Sequence, residues 1–492
     1  MGKRYLLVLV PGIVALSCLP TAEFNNPLDP GFSGVKISTK NIACASPYGI
    51  SNPCFIKNKR YSIVAPRTYN GAVYSQWRCF SADASTEWSS SPQLNLTFVS
   101  GGMKNISIQM KNASLFAGIP SNTVCIPSGG SGVFTEIGTG SLQTGSVSCD
   151  ALGDIDGDGD LDLIVSGEYV TTYTKIYRNS GGSFSEIFPG TLTGVRSGSL
   201  ALGDIDGDGD LDLVLTGNNG VINIGKIYRN NGSGSFSEIN AGSLATVRDS
   251  SIALGDLDAD GDLDLILTGF GATHVAKIYR NNGSGQFSEI YPGSIVAVRY
   301  SAIALGDIDN DTDLDVIVTG DTGAGYCSKI YLNNGSGSFS EVNSGTLHSV
   351  ANGEIKLVDV DGDGDLDLIL TGDDNGSSPH VGKIYQNNGE GSFSEIYPGS
   401  IIGLIGASIA IGDIDGDGDF DIIVNGMDGI FYTKIYRNNS NGSFSEIYPG
   451  SLTAAGGGSV LLGDIDGDGD IDAVHRGYTG VSEIAKIYRN GP

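Results

Sequence analysis

The chain has 492 residues, a formal net charge of −28 and 74 glycines. Its length allows two or three domains, and glycine at about twice its ordinary share fits a turn-rich all-β protein. The acidity argues against nucleic acid as a partner, because no basic stripe exists to neutralise phosphates.

Taken in chain order, residues 1–17 read as an export signal. Lys3 and Arg4 precede the apolar run Leu6 to Leu16, which is too short to span a bilayer. Ala15-Leu-Ser-Cys18 follows, with small residues before a cysteine. This resembles a bacterial lipoprotein signal, which implies lipidation at Cys18; an ordinary cleaved signal with an incidental cysteine is the alternative. The expectation is an exported protein at the outer membrane or cell surface, touching the membrane only through a lipid. Residues 18–34, rich in Pro, Asn and Gly, read as a tether.

Residues 35–127 differ in kind and hold both tryptophans, Trp77 and Trp88. Short alternating runs predict strands at Tyr61-Ser-Ile-Val-Ala65, Ala72 to Cys79, Leu94-Asn-Leu-Thr-Phe98 and Asn105 to Met110. This spacing predicts a small β-sandwich-like domain, and Leu94 to Met110 looks like the end of a PKD- or immunoglobulin-like module. Cys44, Cys54, Cys79 and Cys125 lie here. Four cysteines allow three pairings that sequence does not separate, and proximity favours Cys44 with Cys54 and Cys79 with Cys125. Cys149 and Cys327 lie far apart and are expected to be free thiols.

From residue 133 onward one stretch organises the chain. Asp154-Ile-Asp-Gly-Asp-Gly-Asp-Leu-Asp162 carries five carboxylates in nine residues. Like charges this close resist being ionised together, and they close readily around a hard, oxygen-seeking divalent ion such as calcium. The stretch recurs seven times, at intervals of 50, 52, 51, 52, 54 and 51 residues. Position 1 is Asp154, Asp204, Asp256, Asp307, Asp359, Asp413 and Asp464. Position 3 is Asp156, Asp206, Asp258, Asp309, Asp361, Asp415 and Asp466. Position 5 is Asp158, Asp208, Asp260, Asp311, Asp363, Asp417 and Asp468, followed at position 6 by a turn-permitting Gly in all loops but one. Position 7, expected to offer a backbone carbonyl, is Asp160, Asp210, Asp262, Asp313, Asp365, Asp419 and Asp470. Position 9, expected to offer a side chain, is Asp162, Asp212, Asp264, Asp315, Asp367, Asp421 and Asp472. These loops hold 35 of the 56 acidic residues, so the acidity is mostly a metal-site signature. No EF-hand is implied, because position 12 is Val165 and apolar alternation follows. A solvated acidic turn is the plain alternative for any single loop.

A period near 50 residues predicts a propeller or array. Within residues 196–239, one strand enters the acidic loop, Leu211 to Thr216 leaves it, Lys226-Ile-Tyr-Arg229 follows, and Phe236-Ser-Glu-Ile239 comes after an Asn/Gly turn. Four antiparallel strands make one blade. The Phe-[Ser/Thr]-Glu-[Ile/Val] strand also occurs seven times, but its first copy, Phe134-Thr-Glu-Ile137, precedes every acidic loop, and no copy follows the last Lys486-Ile-Tyr. The first copy is therefore expected to complete the seventh blade and close the ring, removing two open sheet edges.

These residues resemble the FG-GAP repeat family, best known from the propellers of integrin α subunits. The resemblance covers about residues 133–492 and implies a seven-bladed propeller with about one Ca²⁺ per blade. Thr312 stands where the fourth loop needs a positive-φ Gly, which puts the Asp307 site in doubt.

Strand alternation sorts the loops by face. The acidic loops share one face; the opposite face carries varied loops such as Gly167-Glu-Tyr-Val-Thr-Thr-Tyr173 and Gly426 to Tyr432. Varied loops on a rigid scaffold are where binding usually lives, although surface drift produces the same variety. Arg196, Arg248 and Arg299 each lie eight residues before the first loop Asp of their blade, where the other blades have Ser146, Ala351, Ile405 and Gly456. They form an expected arc of guanidiniums at the channel mouth, either a candidate anion site or an offset to the acidic surface. With four histidines and no arguable nucleophile–base pair, no enzyme is expected. The expected function is that of a monomeric, calcium-stabilised adhesion or binding lipoprotein recognising a protein or matrix partner. The alternatives are a calcium-dependent lectin stacking sugars on Tyr173, Phe270 or Phe431, and a carbohydrate-active enzyme.

Overall fold

The computed structural model describes residues 131–491 apart from 139–141, 240–243, 343–346 and 377–379, and before residue 131 the backbone of nine short strands. Among those strands Arg60–Val64 pairs with Gln93–Thr97, and Gln76–Phe80 pairs with Gly102–Lys111, both antiparallel. The packing expected of a sandwich, Cys18 with its leader, and the side chains of Cys44, Cys54, Cys79 and Cys125 lie outside the described residues.

Residues 131–491 form seven four-stranded antiparallel sheets in a closed ring, a seven-bladed β-propeller. Blade 2 shows the pattern: Leu200–Gly203, Asp212–Asn218, Asn223–Arg229 and Ser237–Ile239, each hydrogen-bonded to the next. The second strand is buried on both faces, from Asp212 through Gly217, because neighbouring blades pack against both sides of it. This explains its near-continuous apolar run. The fourth strand lies at the rim and shows the opposite pattern, buried at Phe and open after it, as in Phe287–Ile290.

The hydrophobic effect acts between blades rather than within them. One core joins Ala151, Ile164 and Ile176 of blade 1 to Leu202, Leu213 and Tyr228 of blade 2, and equivalent cores fill the other junctions. The recurrent Lys-Ile-Tyr tyrosine ties each blade to the crossing that leads into it. Tyr228 Oη accepts the Thr193 N–H at 3.1 Å, and Tyr279 Oη accepts the Ala245 N–H at 2.9 Å. All seven tyrosines do the same. The recurrent fourth-strand Glu pairs with the third-strand Lys of its own blade, as in Lys226 with Glu238 at 2.7 Å. Such exposed pairs contribute little each, and they give that Glu a scaffold role.

Ring closure follows the expectation. Phe134–Ile137 pairs antiparallel with Glu483–Asn490, in register Phe134 with Asn490 and Ile137 with Ile487. The seventh sheet thus takes its outer strand from the front of the chain. Gly132 N–H donates to Asn490 Oδ1 at 2.9 Å, and Lys486 pairs with Glu136 at 2.6 Å. Phe134 enters the core between blades 6 and 7.

Removing residues 1–139 therefore exposes the edge of Glu483–Asn490 and a cavity at Phe134. The truncated chain is expected to melt at least several degrees lower and to associate, as read by calorimetry and light scattering. An unchanged melting temperature in a monomeric truncation would contradict closure by this strand.

Candidate metal centres and the opposite face

Each acidic loop sits where one blade meets the next. In the first loop Asp154 folds the chain back, accepting the Gly157 N–H on Oδ1 at 2.7 Å and the Gly159 N–H on Oδ2 at 3.1 Å. Asp158 accepts the Asp160 N–H at 3.0 Å. Asp162 is buried, and both its oxygens take backbone donors: Asn179 at 2.8 Å and Ile155 at 3.1 Å. The Asp160 carboxylate turns outward and accepts the Gly181 N–H of the following turn at 3.1 Å. Position 7 thus braces that turn with its side chain, a role beyond the carbonyl expected of it.

The loop carboxylates converge. One oxygen each from Asp154, Asp156 and Asp162 lie within 4.8 Å of one another, as do those of Asp204, Asp206 and Asp212, and of Asp359, Asp361 and Asp367. Asp256, Asp258 and Asp260, and Asp307, Asp309 and Asp311, make equivalent groups. Buried carboxylate oxygens of Asp156, Asp206, Asp258, Asp309 and Asp413 have no hydrogen-bond partner. An orphaned buried carboxylate oxygen is costly unless something positive meets it. A multi-oxygen nest with unclaimed lone pairs fits a hard divalent cation.

Burial and crowding together make these carboxyls hold their protons more tightly. Burial pushes Asp212, Asp264 and Asp472 up to about 7, against opposing backbone hydrogen bonds and with help from neighbouring carboxylates. Asp367 and Asp421 rise to about 8 for the same reasons, and Asp204, Asp359 and Asp464 to about 6.

Sequence reading missed the partner of position 3. Arg178, Arg229, Arg280 and Arg489, at the end of the third strand, form ion pairs with Asp156, Asp206, Asp258 and Asp466, and Arg437 approaches Asp415 at 3.8 Å. Gln386 takes this place in blade 5, donating to Asp361 at 2.6 Å. Blade 4 has Leu332 there, so Asp309 has no cationic partner from this position. The signal was available: an Arg recurring two residues after the third-strand Ile. In the same blade Thr312 holds the left-handed conformation at φ 81, and its N–H still reaches Asp307 at 3.1 Å. The fourth loop keeps the common geometry with a strained β-branched residue.

On the opposite face the first strands begin with a ring of left-handed residues, including Val147, Ser197, Asp249, Tyr300 and Asn352. Their backbones join across blades: Ser197 N–H to Val147 C=O at 3.2 Å, and Asp249 N–H to Ser197 C=O at 2.6 Å. The three arginines stand just before this ring, in consecutive blades, and each faces a carboxylate. Arg196 pairs with Glu168, Arg248 approaches Asp249 at 3.5 Å, and Arg299 pairs with Asp321 at 2.9 Å. Arg248 and Arg299 both lie over Phe270, at 5.7 and 5.3 Å. Of the other aromatics, Phe431 packs edge-on against Tyr478, and Tyr173 donates to Thr144 C=O at 3.2 Å inside the junction of blades 7 and 1. Of the histidines, His274 edges Phe270, His348 faces Asp374, His380 stands between Asp373 and Asp428, and His475 is buried. Cys149 and Cys327 are free, and burial pushes their thiols up to about 12 and 11.

FG-GAP-like repeats match residues 154–215, 204–267, 256–318, 307–370, 359–424 and 431–475, together more than half of the chain. The chain belongs to the FG-GAP-like repeat family. No curated protein matches it. Similar solved structures include the Tc holotoxin pore of Photorhabdus luminescens, at 13% identity and TM-score 0.35 over 93% of this chain, which spans only 22% of that chain. A protein from Lactobacillus plantarum shares 12% identity with TM-score 0.40, covering 76% of this chain and 95% of its own. A quinonprotein alcohol dehydrogenase-like protein from Bacteroides thetaiotaomicron shares 9% identity with TM-score 0.33, covering 82% and 96%.

The raised pKa values set the pH dependence of the metal-free chain. A carboxyl that holds its proton more tightly when folded stabilises the fold fully below its unfolded value of 3.8, and that contribution is lost as pH rises through about 7. In chelator, the melting temperature is expected to rise as pH falls from 8 to about 5. A flat or falling profile over that window would contradict the buried, crowded state of these carboxyls.

Proposed function

We propose that the seven loops hold Ca²⁺ and that the ring they stiffen is an exported, surface-anchored module that binds a protein partner through the opposite face. The observation that carries the metal reading is the set of buried, unclaimed carboxylate oxygens in five loops. An arginine alone does not satisfy such a loop, because its one positive charge faces five carboxylates. Calcium fits better than magnesium, which demands near-ideal octahedral geometry and keeps its waters.

The binding reading rests on the contrast between faces. The loop face repeats from blade to blade. The opposite face presents apolar residues at the tips of adjacent hairpins: Val170 is 82% exposed, Val221 87%, Val481 90% and Ile430 63%. These belong to blades 1, 2, 7 and 6, which are neighbours in the ring. Exposed apolar side chains gathered on one face mark an interaction surface. Partner contact through apolar tips favours a protein over a glycan, since Tyr173 and Phe431 are committed to packing within the ring.

Extracellular calcium modules have dissociation constants of about 10⁻⁴ to 10⁻³ M. At millimolar Ca²⁺ and about 10⁻⁴ M affinity each site contributes roughly 1.4 kcal/mol, and six independent sites on the order of 8 kcal/mol. Chelation is therefore expected to lower the melting temperature by ten degrees or more, with Ca²⁺ restoring it and Mg²⁺ restoring little. Asp204→Ala is expected to remove about one site's share, and Asp307→Ala less, because Thr312 already strains that loop. No shift on chelation would sink the metal reading.

Surface anchoring rests on Ala15-Leu-Ser-Cys18. Cys18→Ala is expected to move the protein from the membrane to the soluble fraction. Membrane retention equal to that of the unaltered protein would rule out the lipid anchor.

A further inference from the structure

Seven nearly identical repeats create a counting problem. The repeats make one blade's first strand a plausible neighbour for many blades' second strands, so a ring of six, or a ring completed with the wrong blade of a second chain, competes with the correct one. Four positions at the junction of blades 7 and 1 depart from the repeat, and they meet in space. Asp150 stands where the other blades have Leu200, Ile252, Ile303, Ile355, Ile409 and Val460. Arg476 stands where they have Ser166, Thr216, Thr268, Thr319, Thr371 and Asn425. Tyr173 replaces an aliphatic residue or cysteine in every blade but the sixth, which has Tyr432. Gly145 replaces Val, Leu or Ala, and a Cβ there would lie 1.9 Å from the Tyr173 hydroxyl.

Arg476 and Asp150 have fully buried side chains and form an ion pair. Every further side-chain bond of Arg476 is to blade 1 or to the segment leading into it. Nη2 donates to the Tyr173 hydroxyl, Nε to Gln143 C=O at 3.2 Å, and Nη1 to Ser166 C=O at 3.4 Å. Asp150 in turn accepts the Ser459 hydroxyl of blade 7 and the Ser166 N–H at 3.3 Å. The pair is thus satisfied in the one arrangement that places blade 7 beside blade 1.

We infer that Arg476 and Asp150 are a closure lock, which specifies that blade 7 and no other blade docks on blade 1. A ring that omitted blade 7 would set Asp150 against Asn425, and one that omitted blade 1 would set Arg476 against Leu200. Either buries a charge with no partner, the arrangement proteins tolerate least. The pair adds little net stability over an apolar pair of like volume, because both charges are desolvated. Its effect is to penalise wrong closures.

The test uses the full chain in millimolar Ca²⁺. Asp150→Leu and Arg476→Met are each expected to lower the melting temperature by several degrees, since each strands one buried charge. The double variant is expected to recover most of that loss. After unfolding and refolding at several concentrations, the unaltered protein should return as a single monomeric species. The double variant, though stable, should yield a larger fraction of dimers and higher oligomers, read by light scattering on a sizing column. If the double variant is as destabilised as the two single changes added together, the pair is not coupled and the inference fails. If it is rescued but refolds as uniformly as the unaltered protein, the pair does not specify closure and the inference fails equally.

Discussion

Placing five aspartates in nine residues is an electrostatic cost that the fold must meet seven times. The chain meets part of it with its own backbone. Amides of the loop and of the third-strand Asn take up the oxygens of positions 1, 5 and 9, and an Arg takes one oxygen of position 3. What remains is a set of buried oxygens facing one another. The carbonyl of loop position 2 points the other way, into the next blade. Ile155 C=O accepts Asn230 Nδ2 at 2.8 Å, and the same bond recurs around the ring, ending with Asn179 on Ile465 C=O at 2.7 Å. Loop conformation and blade-to-blade docking are therefore one structural unit. Whatever settles the carboxylates also settles the junctions.

That coupling divides the labour between the two faces. The loop face is nearly uniform because every blade meets the same electrostatic problem, five of them with an Arg and blades 4 and 5 with Leu332 and Gln386 in its place. The opposite face is free of that demand, and there the hairpins differ in length, charge and exposed apolar surface. The arginine arc shows how such a face is balanced: three guanidiniums are matched by Glu168, Asp249 and Asp321, and those of Arg248 and Arg299 lie over Phe270. In a chain this acidic they offset nearby carboxylates.

Blade number, strand order and closure by Phe134–Ile137 were legible in the sequence because repetition states each rule seven times. A pattern met once in a chain is ambiguous, whereas the same spacing met seven times leaves few folds. The pairing of Arg178 and its equivalents with position 3 was equally repeated, but reading it required knowing that the third strand runs back past the loop. The Arg476–Asp150 lock was hidden for the opposite reason. Each residue is a single departure from its repeat, about 330 positions from its partner, and only closure of the ring makes the two neighbours. Tyr173 looked like a free aromatic on a varied loop for the same reason.

The account stands on a cation completing the loops. Its most direct measurement is the calcium stoichiometry of the intact, metal-stripped chain by titration calorimetry, with metal analysis of the saturated protein as a check. The account predicts six to seven ions per chain, the weakest assigned to the Asp307 loop by its loss in an Asp307→Ala variant. Fewer than about four ions, or heat no different from dilution, would contradict it.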